Sequence, residues 1–153
     1  MFENPIKAFP VGRSIPYGPM TVSKQEIVKF AKEFDPIFFH LDEDAAKNSL
    51  LGGLSASGFH TCSLTMRMIC DAYLLESTSQ GSPEVEELSW LGPVRPGDTL
   101  HGVSMVISAR KSNSIPGVMI IHFRHETFNQ RDEPVLTMIN PGFFRFQESN
   151  IND

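Results

Sequence analysis

Apolar positions follow two rhythms along this chain, and the change from one to the other predicts its architecture. Ser23 with Glu26 three residues on fits a capping box, and Ile27, Phe30, Ala31 and Phe34 then fall on one face of a helix. Asp35-Pro36 stops that helix, because a residue before proline is pushed out of the α region. A second, short helix is signalled by Asp42 as N-cap, with acids at Glu43 and Asp44 in its first turn. A small-residue loop, Gly52 to Gly58, feeds Phe59–Leu74, which is apolar or small on nearly every side. Its firmly charged residues, Arg67 and Asp71, are spaced to pair with each other. Such a helix belongs in an interior, with Met66 and Met68 as plain core.

Beyond this helix the period shortens to two. Val85–Leu91, Leu100–Lys111, Gly117–Phe128 and Val135–Phe146 read as strands, the last with a bulge at Pro141-Gly142. His101, Val103, Met105, Ile107 and Ala109 share one face of the second of these. Met119, Ile121, Phe123 and His125 share one face of the third. The Pro- and Gly-rich residues 9–22 predict an edge strand near Arg13–Thr21. One interior helix followed by antiparallel strands is an α+β layout, a sheet wrapped around a central helix. Without an internal repeat or a long linker, residues 1–153 read as one domain.

Composition narrows the class. With 41% hydrophobic and 20% charged residues, the chain matches an ordinary globule. A net charge of -5 argues against a nucleic-acid partner, which needs a cationic face. No run of about 18 apolar residues predicts a membrane span, and Met1 to Pro5 lacks the character of a signal peptide. Cys62 and Cys70 lie about 12 Å apart on one helix at a rise of about 1.5 Å per residue, too far for a disulfide. Reduced, buried thiols in a cytoplasmic protein are the expectation.

The candidate chemistry centres on Asp35 and His40. The segment between them carries three large hydrophobes, Ile37, Phe38 and Phe39, so it packs down and can turn its ionisable ends into a cleft. The helix start after His40 keeps its imidazole basic, and a neighbouring carboxylate counters that effect. Gly52 to Gly58 offers backbone N–H groups at the mouth of the interior helix, as an oxyanion requires. The plain structural alternative stays open: Asp35 ends one helix and His40 merely precedes the next.

These residues carry a resemblance. The run from Phe30 through Asp35-Pro36-Ile37-Phe38-Phe39-His40 to Ala46 resembles the hydratase motif of the MaoC-like dehydratases, the (R)-specific enoyl-CoA hydratases. The similarity continues through Ser55-Ala56-Ser57-Gly58 and resumes at Val94–Leu100, covering most of residues 25 to 145. It implies a hot-dog fold, at least dimeric, with the active site near the subunit interface. It also implies that Asp35 and His40 hold one water and relay protons as it adds to the 2,3-double bond of an enoyl thioester. The thioester oxygen would be polarised by backbone N–H at Gly58. This chain departs from the family's common Asp-x-Asn-Pro-x-His, since Asp35 meets Pro36 directly and the Asn is missing. Ser57-Gly58 stands where His-Gly is frequent. The water-orienting network and the acyl pocket are the parts these departures touch.

Ser57 and His60 are candidate substrate contacts near the helix tip, although the plainer reading of His60 is a partly buried histidine donating to a backbone carbonyl. Arg95, Arg110 and Lys111 are candidate partners for the phosphates of a CoA carrier. His122 and His125 face opposite sides of a strand, so no metal site is expected, and no cofactor is expected either. His101 should be exposed. The expected partners are an acyl-CoA or acyl-carrier thioester and a second copy of the chain. A hot-dog thioesterase and a non-catalytic subunit of the same fold are the rival readings.

Overall fold

The computed structural model describes residues 2–147; Met1 and residues 148–153 of the expected domain lie outside the described residues. Its elements run α1 (Pro5–Ala8), β1 (Ser14–Thr21), α2 (Lys24–Phe34), a 3-10 turn (Phe38–His40), α3 (Glu43–Ala46) and α4 (Gly58–Ile69). A π turn (Cys70–Leu74) follows, then β2 (Ser79–Gly81), β3 (Glu87–Trp90), β4 (Thr99–Lys111), β5 (Val118–Phe128) and β6 (Pro134–Arg145). The six strands form one antiparallel sheet in the order β1-β4-β5-β6-β2, with β3 also pairing β6. The sheet packs against α4, so the α+β layout is the one expected.

Local signals explain the elements before α4. Ser23 Oγ accepts from Glu26 N–H at 3.1 Å and Glu26 Oε2 accepts from Ser23 N–H at 2.7 Å, closing the capping box. Ile27 and Ala31 are fully buried beneath α2, whereas Phe34 points out and is 69% exposed. Asp42 caps α3 by accepting from Ala45 N–H at 2.8 Å. The one-turn α1, capped by Asn4, has no counterpart in the sequence reading.

The central helix differs from expectation in a way that matters later. It begins at Gly58, and its last turn widens to π geometry rather than continuing as α. Only one stripe is buried, running through His60, Thr61, Thr65, Met68 and Ile69 to Tyr73. Met68 is core at 2% exposure, but Met66 is 41% exposed and Phe59 64%, so Met66 is not the core residue it was expected to be. Within one copy the sheet covers one side of α4, and the opposite side keeps its apolar residues in the open.

The strands show further differences. β3 is shorter than Val85–Leu91, and the short β2 went unpredicted. On β4 the core face is Leu100, Gly102, Ser104 and Val106, and the set containing Met105 and Ile107 faces outward. On β5 the expected face, Met119, Ile121, Phe123 and His125, is buried throughout. No bulge sits at Pro141-Gly142, which stay in register opposite His122 and Ile121. Ile139 O accepts from Glu86 N–H and Arg145 N–H donates to Thr78 O, so odd-numbered β6 residues present their backbone groups away from β5. Pro141 shares that side and falls in the gap between the β3 and β2 pairings, where its missing N–H breaks no ladder bond.

Candidate active site

Asp35 is the C-cap of α2 and His40 closes the 3-10 turn, so the turn's geometry brings them together. Pro36 and the edge-to-face pair Phe38–Phe39 carry the chain around so that the imidazole turns inward. His40 is 5% exposed. Its Nδ1–H donates to the Ser55 carbonyl at 2.7 Å, which fixes the ring and leaves Nε2 facing Asp35 Oδ2 at 3.3 Å. The expected influence of a following helix dipole is small, because α3 has a single turn. The Ser55 carbonyl sets the orientation instead.

With Nδ1 donating to a carbonyl, Nε2 and the carboxylate oxygen would face one another as two acceptors unless a hydrogen lies between them. Ser57 Oγ–H donates to the same Asp35 oxygen at 2.7 Å and orients the carboxylate. Ser57 is itself fully buried and does not line the cavity, so the structure places it behind Asp35 as a support.

Asp35 and His40 open onto a cavity of about 860 Å³, within the usual range for a small-molecule site. Its walls come from the 3-10 turn, residues 48–51, the start of α4 and the segment from Trp90 to Val94. Gly58 lies in this wall at the first position of α4. Trp90 Nε1–H donates to Gly58 O at 2.8 Å, and a Cβ on Gly58 would meet Trp90 Cε2 at 2.5 Å. Only glycine lets the indole lie so close. The first intrahelical bond is Thr61 N–H to Ser57 O, so the N–H groups of Gly58, Phe59 and His60 have no acceptor within the helix. A carboxylate–imidazole pair, helix-tip N–H groups and an apolar cavity meet in one place.

The other candidates are placed elsewhere. His60 does not line this cavity; its ring stacks on Phe30 of α2 at 4.6 Å and 4°, and Nδ1 has no hydrogen-bond partner among the described residues, so it does not donate to a carbonyl there. Burial holds its pKa below the ordinary value, opposed by the nearby Glu26 carboxylate. The Arg95 guanidinium donates to the carbonyls of Leu51 and Leu54, so it fastens the loop that forms one wall instead of standing free for a phosphate. Arg110 and Lys111 lie at the end of β4, away from the cavity lining. There Arg110 donates to Lys111 O at 3.2 Å and Lys111 Nζ lies over the Phe146 ring. Neither is brought to the site.

His101 is half-exposed and pairs with Asp132 at 3.0 Å. His122 and His125 occupy opposite faces, as the strand period requires, with His122 bonded to Glu86 and His125 buried. Among the described residues no group of three or more His, Cys, Asp or Glu side chains could hold a metal ion. Cys62 and Cys70 are free and half-buried, less enclosed than expected. No helix among the described residues is long and apolar enough to cross a membrane. The sequence reading missed Ser55 and Trp90. A serine carbonyl and a strand-end tryptophan carry no sequence signal of a site; only their positions do.

Comparison with known proteins places this geometry in a family. A family model described as "MaoC like domain" matches residues 8–120. A solved MaoC-like dehydratase from Rhodospirillum rubrum is 39% identical, covers 93% of this chain and 97% of its own, and superposes with a TM-score of 0.84. The R-hydratase PhaJ1 of Pseudomonas aeruginosa shares the fold at 19% identity and a TM-score of 0.73, over 92% of this chain and 85% of its own. An uncharacterized Bacillus subtilis protein, YdeM, is 26% identical over 127 residues, 83% of this chain and 89% of its own.

Proposed function

The chain belongs to the MaoC-like family, with its hot-dog fold, and from that premise we propose that it hydrates enoyl thioesters or dehydrates 3-hydroxyacyl thioesters, using Asp35 and His40. The observation that carries this reading is the 3.3 Å approach of His40 Nε2 to Asp35 Oδ2 at the wall of an apolar cavity. The dehydratase named for the Rhodospirillum rubrum relative supports it.

In the hydration direction, water gives a proton to the pair and its oxygen bonds to C3. The π electrons of the 2,3-double bond move to C2, where they take one proton from the pair, which thereby returns to its starting state. One C–O and one C–H bond form, one O–H bond breaks, and nothing is oxidised. Charge that develops on the thioester oxygen is met by the free N–H groups at the tip of α4, Gly58 foremost. Ser57 keeps Asp35 facing His40 throughout.

The carrier, CoA or a carrier protein, and a homodimeric state belong to the same proposal. The outer side of β3 is free of strands among the described residues, and Phe59 and Met66 on α4 with Trp90 and Leu91 beside it form an exposed apolar face suited to a second copy. The free thiols support a cytoplasmic location.

Incubation with crotonyl-CoA tests the reading. Loss of the conjugated-enoyl absorbance without release of free thiol is the expected result. Thiol release would indicate the thioesterase instead, and silence over short, long and branched enoyl thioesters would indicate a binding subunit.

A further inference from the structure

A hydrogen bond and a ring stack both join α2 to α4, close to one another. Ser57, the N-cap of α4, donates to Asp35, the C-cap of α2, at 2.7 Å. His60 lies parallel to Phe30 of α2, the ring centroids 4.6 Å apart and the planes inclined by 4°. At a rise of about 1.5 Å per residue, the stack sits about 7.5 Å from Asp35 along α2 and about 4.5 Å from Ser57 along α4. One hydrogen bond between two helices is a hinge, because it resists separation more than rotation. A flat ring pair beside it resists the rotation, since turning either helix would open the stack.

The stack suits a neutral imidazole. His60 is 6% exposed, and its Nδ1 is buried with no hydrogen-bond partner among the described residues. With the proton on Nε2, Nδ1 is an idle acceptor. In the imidazolium it would be a buried, charged donor with nothing to donate to, a far costlier state. Among the charged side chains of the two helices, Glu26 of α2 acts on the ring and favours the cation, but desolvation outweighs it and holds the pKa below the ordinary value. Glu26 is itself engaged by Ser23 N–H in the capping box. On α4 no Asp, Glu, Lys or Arg precedes Arg67.

We propose that His60 is a positioning residue: stacked on Phe30 as the neutral ring, it fixes the angle between α2 and α4 and so holds Asp35 against Ser57. Protonation of His60 drives the ring off Phe30 to reach water, and the clamp on Asp35 loosens. The reaction then fails in acid for a reason separate from the titration of Asp35 and His40 themselves.

The kinetic test rests on the hydratase reading. With crotonyl-CoA, His60→Ala should lower kcat by about tenfold, the upper range for one aromatic pair, with KM within about twofold. Phe30→Leu should match it, since each removes half of the same stack, and His60→Phe, which stacks without titrating, should recover most of the loss at pH 8. The ratio of the His60→Phe rate to the wild-type rate should climb as pH falls below about 6.5, where an ordinary histidine begins to charge. A flat ratio, no recovery in His60→Phe, or a change in KM alone overturns the proposal. If the wild type hydrates no enoyl thioester, that reading fails and urea denaturation still tests the joint. Two fastenings of one joint are coupled, so the midpoint shift of the Ser57→Ala, His60→Ala double variant should be smaller than the sum of the single shifts. Additive shifts overturn the joint whatever the chain catalyses.

Discussion

Ser57 and His40 converge on the same oxygen of Asp35, the hydroxyl donating at 2.7 Å and the imidazole Nε2 lying at 3.3 Å. The carboxylate is therefore held from one side by a residue at the tip of α4 and addressed from the other by the 3-10 turn. Such a clamp makes the site depend on α2, the turn and α4 keeping their relative positions.

Removing either member of the pair should abolish most turnover without unfolding the protein. Asp35→Asn and His40→Ala are each expected to lower kcat by about 10²–10⁴-fold, the range a positioned acid or base supplies. Steady-state kinetics beside circular dichroism checks this. Near-normal rates in both would remove the pair from the mechanism.

Ser57→Ala tests the clamp separately. Loss of a hydrogen bond to a charged group should reduce kcat by about 10–100-fold while KM changes little, because the hydroxyl touches Asp35 and not the cavity. Ser57→Thr, which retains the donor, should recover part of the rate. A KM effect without a kcat effect would make Ser57 a substrate contact after all.

Gly58→Ala places a methyl against the Trp90 indole at 2.5 Å. The resulting overpacking should cost about 1–3 kcal/mol of stability in urea denaturation. Gly58→Ala combined with Trp90→Ala should regain much of that loss. An unchanged midpoint in the single variant would show that the indole moves freely.

Acid should destabilise the protein through His125. It is buried between Ser104 and Asn140, bonded to them at 2.8 and 2.9 Å, and burial pushes its pKa down from 6.5 to about 4. Below pH 6.5 the unfolded chain takes up a proton that the folded one refuses, so stability falls as pH drops from about 6.5 to about 4 and then levels. The full loss is on the order of 3 kcal/mol. Denaturation of the wild type and of His125→Gln across that window should differ in slope; parallel slopes would exclude this residue as the source.

Arg95→Ala should loosen the Leu51–Leu54 segment and raise KM together with susceptibility to proteolysis there. Arg110→Ala should leave kcat and KM within about twofold, as expected of an exposed strand-end cation. A raised KM for CoA substrates in the Arg110 variant would show that the carrier reaches the end of β4.

The sequence by itself determined most of the elements and singled out Asp35 and His40 as the candidate pair. The capping box at Ser23, the stop at Asp35-Pro36, the change of period after α4 and the five-residue interval from Asp35 to His40 are all local, and local signals survive in a linear pattern. What only the tertiary structure decided was which groups meet. That His40 is oriented by Ser55, that Ser57 serves Asp35, that His60 turns to Phe30 and that Trp90 closes on Gly58 depend on contacts between segments distant in the chain. The exposed side of α4 belongs with these. Its composition is that of an interior helix, but the sheet of one copy has only enough surface to cover one stripe, so burial of the rest depends on what packs against it.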